Sequence, residues 1–112
     1  MKVLVYEDNL MWSARLKNSL TKLGHEPRLR SKPVAEVADA AIVNLGAESL
    51  EPMTLVPALI AHAVVVIGHA GHKEKELHEL GREAGCQILA TNSELTFKLE
   101  QLLAKAASDG RL

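Results

Sequence analysis

Hydrophobic positions along this chain alternate between two periods, and short apolar runs are separated by stretches of helical spacing. Residues 2–6 (Lys-Val-Leu-Val-Tyr) form a continuous run with β-branched members, the pattern of a strand buried on both faces. Glu7, Asp8 and Asn9 end it, and Asn9 suits the N-cap of the next segment. From Leu10 to Leu23 the spacing predicts a helix with Trp12, Leu16, Leu20 and Leu23 on one face. Trp12 and Met11 are expected to pack in or beside that face. Gly24 stands where a helix-ending glycine belongs.

Residues 26–30 (Glu-Pro-Arg-Leu-Arg) read as an edge strand, because Pro27 lacks a ladder N–H and the rest is charged. Residues 33–38 allow about two helical turns, with Pro33 in the first. Ala40–Val43 is the next strand and ends at Asn44. After a loop through Gly46, Thr54 is expected to cap a helix running to Ala61, with Pro57 tolerated inside its first turn. Val64–Ile67 is the plainest strand, and residues 68–72 (Gly-His-Ala-Gly-His) read as a flexible loop. Lys73–Ala84 is helical with Leu77, Leu80 and Ala84 on one face and Gly85 ending it. Cys86–Ala90 is a fifth strand. Ser93 is placed as the cap of a last helix carrying Leu95, Leu99, Leu102 and Ala106. Residues 1–107 thus form one domain, and residues 108–112 a flexible C-terminal tail.

Strands alternating with helices of this length predict an α/β fold with a parallel sheet covered on both faces. Right-handed crossovers leave few windings. A flavodoxin-like three-layer sandwich of five strands in order 2-1-3-4-5, with a short second βα unit, fits best. Its crevice would lie at the carboxyl ends of strands 1 and 3, where the order reverses.

Composition narrows the function. Of 112 residues 47% are hydrophobic, yet only Tyr6, Trp12 and Phe97 are aromatic, so the core must be aliphatic. Thirteen basic against fourteen acidic residues give a net charge of −1. That argues against nucleic acid as a partner, since phosphate binding rests on clustered Lys and Arg. The lone Cys86 excludes an internal disulfide or a multi-cysteine zinc site. No apolar run reaches the roughly 18–20 residues of a membrane span, and Val3–Val5 is too short for a signal-peptide core. The expected location is the cytoplasm, with no membrane partner.

The predicted crevice collects Glu7, Asp8 and Asn9, then Asn44 to Gly46, Gly68 to His72, and Thr91 to Ser93. The run Val-Leu-Val-Tyr-Glu-Asp-Asn at 3–9, Gly24 after helix 1, and Ala84-Gly85-Cys86 before strand 5 resemble a response-regulator receiver (CheY-like) domain over residues 1–107. The resemblance implies phosphoryl transfer to an aspartate after strand 3. An acidic pair would hold Mg²⁺, while a hydroxyl after strand 4 and a lysine after strand 5 would contact the phosphoryl group. An aspartate carboxylate is the nucleophile, and cations offset charge on the phosphoryl oxygens.

Against that pattern, Glu7 and Asp8 occupy the acidic pair. Asn44 replaces the acceptor. Gly68, or His69 if the loop shifts by one, replaces the hydroxyl, and Asn92 replaces the lysine. A neutral amide does not accept a phosphoryl group. The resemblance therefore implies a degenerate pseudo-receiver, a non-enzymatic module of two-component signalling. Its partner, or a second copy, would dock on residues 73–107.

Two carboxylates without a lysine leave some attraction for Mg²⁺, and no other cofactor is expected. A second reading is a small-ligand or divalent-metal sensor built from Glu7, Asp8, Asn44, His69 and His72. A third is a conventional phospho-accepting regulator, for which Asp39 is the only nearby carboxylate, on the wrong side of strand 3. His25, His62 and His78 read as surface or boundary residues, and Cys86 as an inert thiol.

Overall fold

The computed structural model describes residues 1–109. Its strands are β1 (Lys2–Tyr6), β2 (Glu26–Arg30), β3 (Ala40–Asn44), β4 (Val65–Ala70) and β5 (Ile88–Thr91). They pair in parallel in the order β2-β1-β3-β4-β5, the winding the sequence predicts. The helices are α1 (Leu10–Lys22), α2 (Pro52–Ala61), α3 (Lys75–Ala84), α4 (Asn92–Phe97) and α5 (Leu99–Asp109), and a 3₁₀ turn spans Glu48–Leu50. Among the described residues no helix is long and apolar enough to cross a membrane.

Strand side chains alternate between two apolar layers, as a pleated strand requires. Val3, Val5, Ala40, Ile42, Val65 and Ile67 meet Leu16 and Leu20 of α1 and Leu99 and Leu103 of α5. Leu4, Tyr6, Ala41, Val43 and Val66 meet Leu55, Val56 and Leu59 of α2. The Asn9 side chain caps α1 by accepting from Trp12 N at 3.1 Å. Leu23, expected on the buried face, is the C-cap and is 37% exposed. Met11, also expected to pack there, is 76% exposed.

The predicted helix over 33–38 does not form, and residues 31–39 cross to β3 without regular structure. Two turns cannot stabilise themselves unless they bury a face, and Pro33, Val34 and Val37 are weak helix formers. The extended path instead packs Ala35 and Ala38 on the α2 layer. It is held by Tyr6 Oη donating to Val34 O at 2.7 Å and by an Arg30–Glu36 ion pair.

Other boundaries move for local reasons. Glu51, at φ 44°, precedes Pro52 at the first helical position, so α2 starts ahead of Thr54. Pro57 therefore sits inside the helix, beyond its first turn. β4 runs three residues past Ile67, taking in Gly68, His69 and Ala70, which pair with Val43, Asn44 and β5. α3 begins at Lys75 with Glu74 at its N-cap, and Gly85 ends it in the left-handed region at φ 111°. Cys86 and Gln87 precede β5, and Gln87 Oε1 accepts from Val66 N at 2.8 Å. Thr91 and Glu94 form a reciprocal capping box, so Thr91 caps α4 where Ser93 was expected. The last helix breaks at Lys98. α5 then continues through Ser108 and Asp109, two residues into the expected tail, and residues 110–112 lie outside the described residues.

Candidate functional site

The layer facing α1 and α5 carries Val5 in β1, Ile42 in β3 and Ile67 in β4. Two residues further on, the same parity places Glu7, Asn44 and His69 side by side at the carboxyl ends of three adjacent strands. The direct pairing of Asn44 with His69 across β3 and β4 fixes that register.

Glu7 is 3% exposed and its carboxylate is wrapped by donors. Oε2 accepts from Asp8 N at 3.0 Å, Asn9 N at 3.2 Å and Asn44 Nδ2 at 3.0 Å. Oε1 accepts from Asn44 Nδ2 at 3.1 Å. Asn44 Oδ1 accepts from Gly46 N at 2.9 Å, which fixes the amide with its NH₂ group toward Glu7.

His69 is 1% exposed and stands across from the same carboxylate, with Nε2 3.9 Å from Glu7 Oε1. Its Nδ1 lies 2.7 Å from Asn92 Oδ1, the first residue of α4, and so donates to it. Burial lowers the His69 pKa, outweighing the raising effects of the Asn92 bond and the Glu7 charge. The neutral ring with a proton on Nδ1 leaves Nε2 a bare acceptor, with no hydrogen-bond partner among the described residues. The Trp12 ring leans on His69 at a centroid distance of 6.1 Å. The expectation of a flexible loop over residues 68–72 is thus corrected for residues 68–70: glycine and alanine are weak strand formers, and the neighbouring strands impose the extended pairing.

The remaining expected residues divide. Asp8 is exposed and its Oδ2 accepts from Ser49 Oγ at 3.0 Å, a partner no local pattern announced. His72 is exposed and lines a different groove, with Lys75, His78 and Arg82. Gly68 faces the opposite layer, where a Cβ would come within 2.8 Å of Cys86 Sγ and 3.1 Å of Leu45 Cδ1. His69, not Gly68, therefore holds the place facing Glu7 and Asn44. Asp39 lies at the amino end of β3, where Oδ2 accepts from Lys2 N at 2.7 Å. Cys86 is half-buried, and burial pushes its thiol up to about 11.

Of the five residues grouped for a metal, Glu7, Asn44 and His69 converge, while Asp8 and His72 do not. Among the described residues no three His, Cys, Asp or Glu side chains are grouped to hold an ion. Beside the cluster, an open groove of about 390 Å³ is lined by Asn44, Gly46, Gly71, Glu74, Leu77 and Asn92, with Ala70 at its floor. Among the described residues, Glu74 is the only charged one that lines it.

No family model matches the chain, and no curated protein matches it in sequence. Solved structures do match in fold. The receiver domain of NtrX from Brucella abortus superposes with a TM-score of 0.82 at 14% identity, covering 95% of this chain and 98% of that one. A CheY-like response regulator receiver domain protein from Methanospirillum hungatei gives 0.84 at 13% identity, covering 98% and 95%. The receiver domain of TorR, a response regulator of a TMAO respiratory system, gives 0.78 at 19% identity, covering 94% and 98%. In its longer form NtrX gives 0.87 at 14% identity, and this chain spans only 27% of its length. The fold is that of response-regulator receiver domains.

Proposed function

We propose that this chain is a pseudo-receiver: a cytoplasmic, non-enzymatic signalling module that takes no phosphoryl group and works by protein–protein contact. The observation that carries this reading is Asn44 at the end of β3, with its amide nitrogen given to Glu7. Phosphoryl transfer to a receiver needs an anionic oxygen there, and a carboxamide supplies none. The neighbouring places agree. A buried neutral imidazole, His69, stands beside the acidic residue where a hydroxyl would be needed. Among the described residues, those lining the adjoining groove include no Lys or Arg to offset the charge of a transferring group, and Glu74 would oppose it.

Without a switch at the site, the domain presents one constitutive surface. We assign the contact to residues 73–107, which span α3, β5, α4 and most of α5. Two features support that choice. A groove of about 360 Å³ between α3 and the β5 edge is lined by Lys75, His78, Glu79, Arg82 and Glu94. Phe97, at the end of α4, is 81% exposed. A protein partner and a second copy of the chain are both compatible with this surface, and sedimentation of the purified chain distinguishes them.

The phosphoryl analogue beryllofluoride, added with Mg²⁺, tests the reading. Amide NMR signals of Glu7, Asn44, His69 and Asn92 are expected to stay in place. Saturable shifts centred on those residues would remove the proposal.

A further inference from the structure

Receiver domains hold Mg²⁺ at their acidic pair, so the fold itself implies an ion at Glu7 and Asp8. Mg²⁺ requires hard oxygen lone pairs converging in near-octahedral geometry. The residues present do not fit it. Three donor groups engage the Glu7 carboxylate: Asp8 N and Asn9 N on Oε2, and Asn44 Nδ2 shared between Oε2 and Oε1. The side-chain oxygen of Asn44, Oδ1, is turned away and bonded to Gly46 N. Asp8 is exposed, and its Oδ2 accepts from Ser49 Oγ instead of facing Glu7. The remaining neighbour of Glu7 is His69, a softer ligand that Mg²⁺ does not favour. A cation entering here would have to displace Asn44 Nδ2 and leave it facing positive charge. Turning the amide over would instead strip Gly46 N of its acceptor.

Resting on the pseudo-receiver reading, we infer that the Asn44 amide does the work of the divalent ion. The carboxylate is compensated by the chain's own donors, and the end of the sheet is held in one arrangement whether or not Mg²⁺ is present. The arrangement spans the sheet in two hydrogen-bonded parts that face each other, His69 Nε2 lying 3.9 Å from Glu7 Oε1. Gly46 and Asn44 hold Glu7 at the ends of β3 and β1, and His69 of β4 holds Asn92 at the start of α4. The charge balance agrees. One buried carboxylate beside an amide and a neutral imidazole is satisfied by hydrogen bonds alone, whereas two or three clustered carboxylates need a cation.

The test is a titration of the wild-type chain and of Asn44→Asp with Mg²⁺ and with Mn²⁺, read by the melting midpoint and by Trp12 fluorescence. A ligand that binds only the native state raises the midpoint with the logarithm of its concentration. The wild type is expected to show no shift and no fluorescence change. Asn44→Asp, with an oxygen where the NH₂ group stood, is expected to gain a saturable rise. A variant that folds only in Mg²⁺ is the same result in stronger form. A saturable wild-type shift abolished by Glu7→Gln overturns the inference, as does a folded Asn44→Asp that ignores both ions.

The two readings fail separately. A wild type that binds Mg²⁺ yet takes no phosphoryl group from acetyl phosphate removes the lock and keeps the pseudo-receiver. One that takes the group without responding to Mg²⁺ on its own removes the pseudo-receiver.

Discussion

Asn44→Asp also makes a quantitative prediction in the absence of any metal. The variant is isosteric, and its inner oxygen can still accept from Gly46 N. Its outer oxygen, however, replaces a donor that lies 3.0 and 3.1 Å from the two Glu7 oxygens. The loss of a charge-assisted hydrogen bond costs about 1.5–3 kcal/mol. Two carboxylates about 3 Å apart would repel by about 5–6 kcal/mol at an effective dielectric near 20. The chain escapes the larger figure by taking up one proton, which the pair then shares. Protonating a carboxyl with an ordinary pKa near 4 at pH 7 costs about 4 kcal/mol, at about 1.4 kcal/mol per pH unit. Since the shared proton restores an O–H···O bond, the variant should be about 3–4 kcal/mol less stable than wild type at pH 7.

The sign is distinctive. The new carboxyl has a raised pKa in the folded state, so the native variant binds more protons than the unfolded chain. Its deficit relative to wild type should therefore shrink as the pH falls toward 5, by about 1.4 kcal/mol per unit. Urea denaturation followed by the fluorescence of Trp12, the single tryptophan, gives both quantities. A variant within about 0.5 kcal/mol of wild type at pH 7 without metal would refute the donor role of Asn44.

Two further predictions follow from buried groups. The His69 pKa is lowered in the fold by burial, so the unfolded chain binds its proton more tightly. Wild-type stability should then decline as the pH falls below about 6.5, and His69→Gln should flatten that decline, leaving the part contributed by His25, whose pKa burial also lowers. An unchanged slope would show that His69 is charged in the native state. Gly68→Ser would not restore a hydroxyl to the site, since its Cβ would press on Cys86 Sγ and Leu45. A loss of about 1–3 kcal/mol in chemical denaturation is expected from overpacking, and a neutral result would mean that Leu45 repacks freely.

The winding was legible because β1, β3 and β4 are parallel strands buried over most of their length, whose apolar runs leave little choice of period, and because Gly24 and Gly85 mark helix ends. What escaped was set by tertiary partners. The 33–38 segment has a composition that permits a helix, but Tyr6 and Arg30 tie it down in an extended path through Val34 O and Glu36. Gly68, His69 and Ala70 carry no strand signal of their own and are drawn into the sheet by the neighbours on either side. The α4 cap is the exception: Thr91 with Glu94 three residues on is the local spacing of a capping box, and it prevails over the expected Ser93. At the site, Glu7, Asn44 and Asn92 were identifiable from their places in the order of elements. The direction of the Asn44 amide follows from its local bond to Gly46 N, the Asx turn open to an Asn-x-Gly sequence, whereas the burial of His69 depends on Asn92 Oδ1, a contact that has no sequence pattern.

Intact-mass analysis of the wild-type chain, after incubation with acetyl phosphate and Mg²⁺ beside a phosphorylatable receiver domain, tests the central claim most directly. An amide where the acceptor should stand predicts an unchanged mass while the control gains one phosphoryl group. An acid-stable, base-labile phosphoryl adduct on any aspartate of this chain would contradict it.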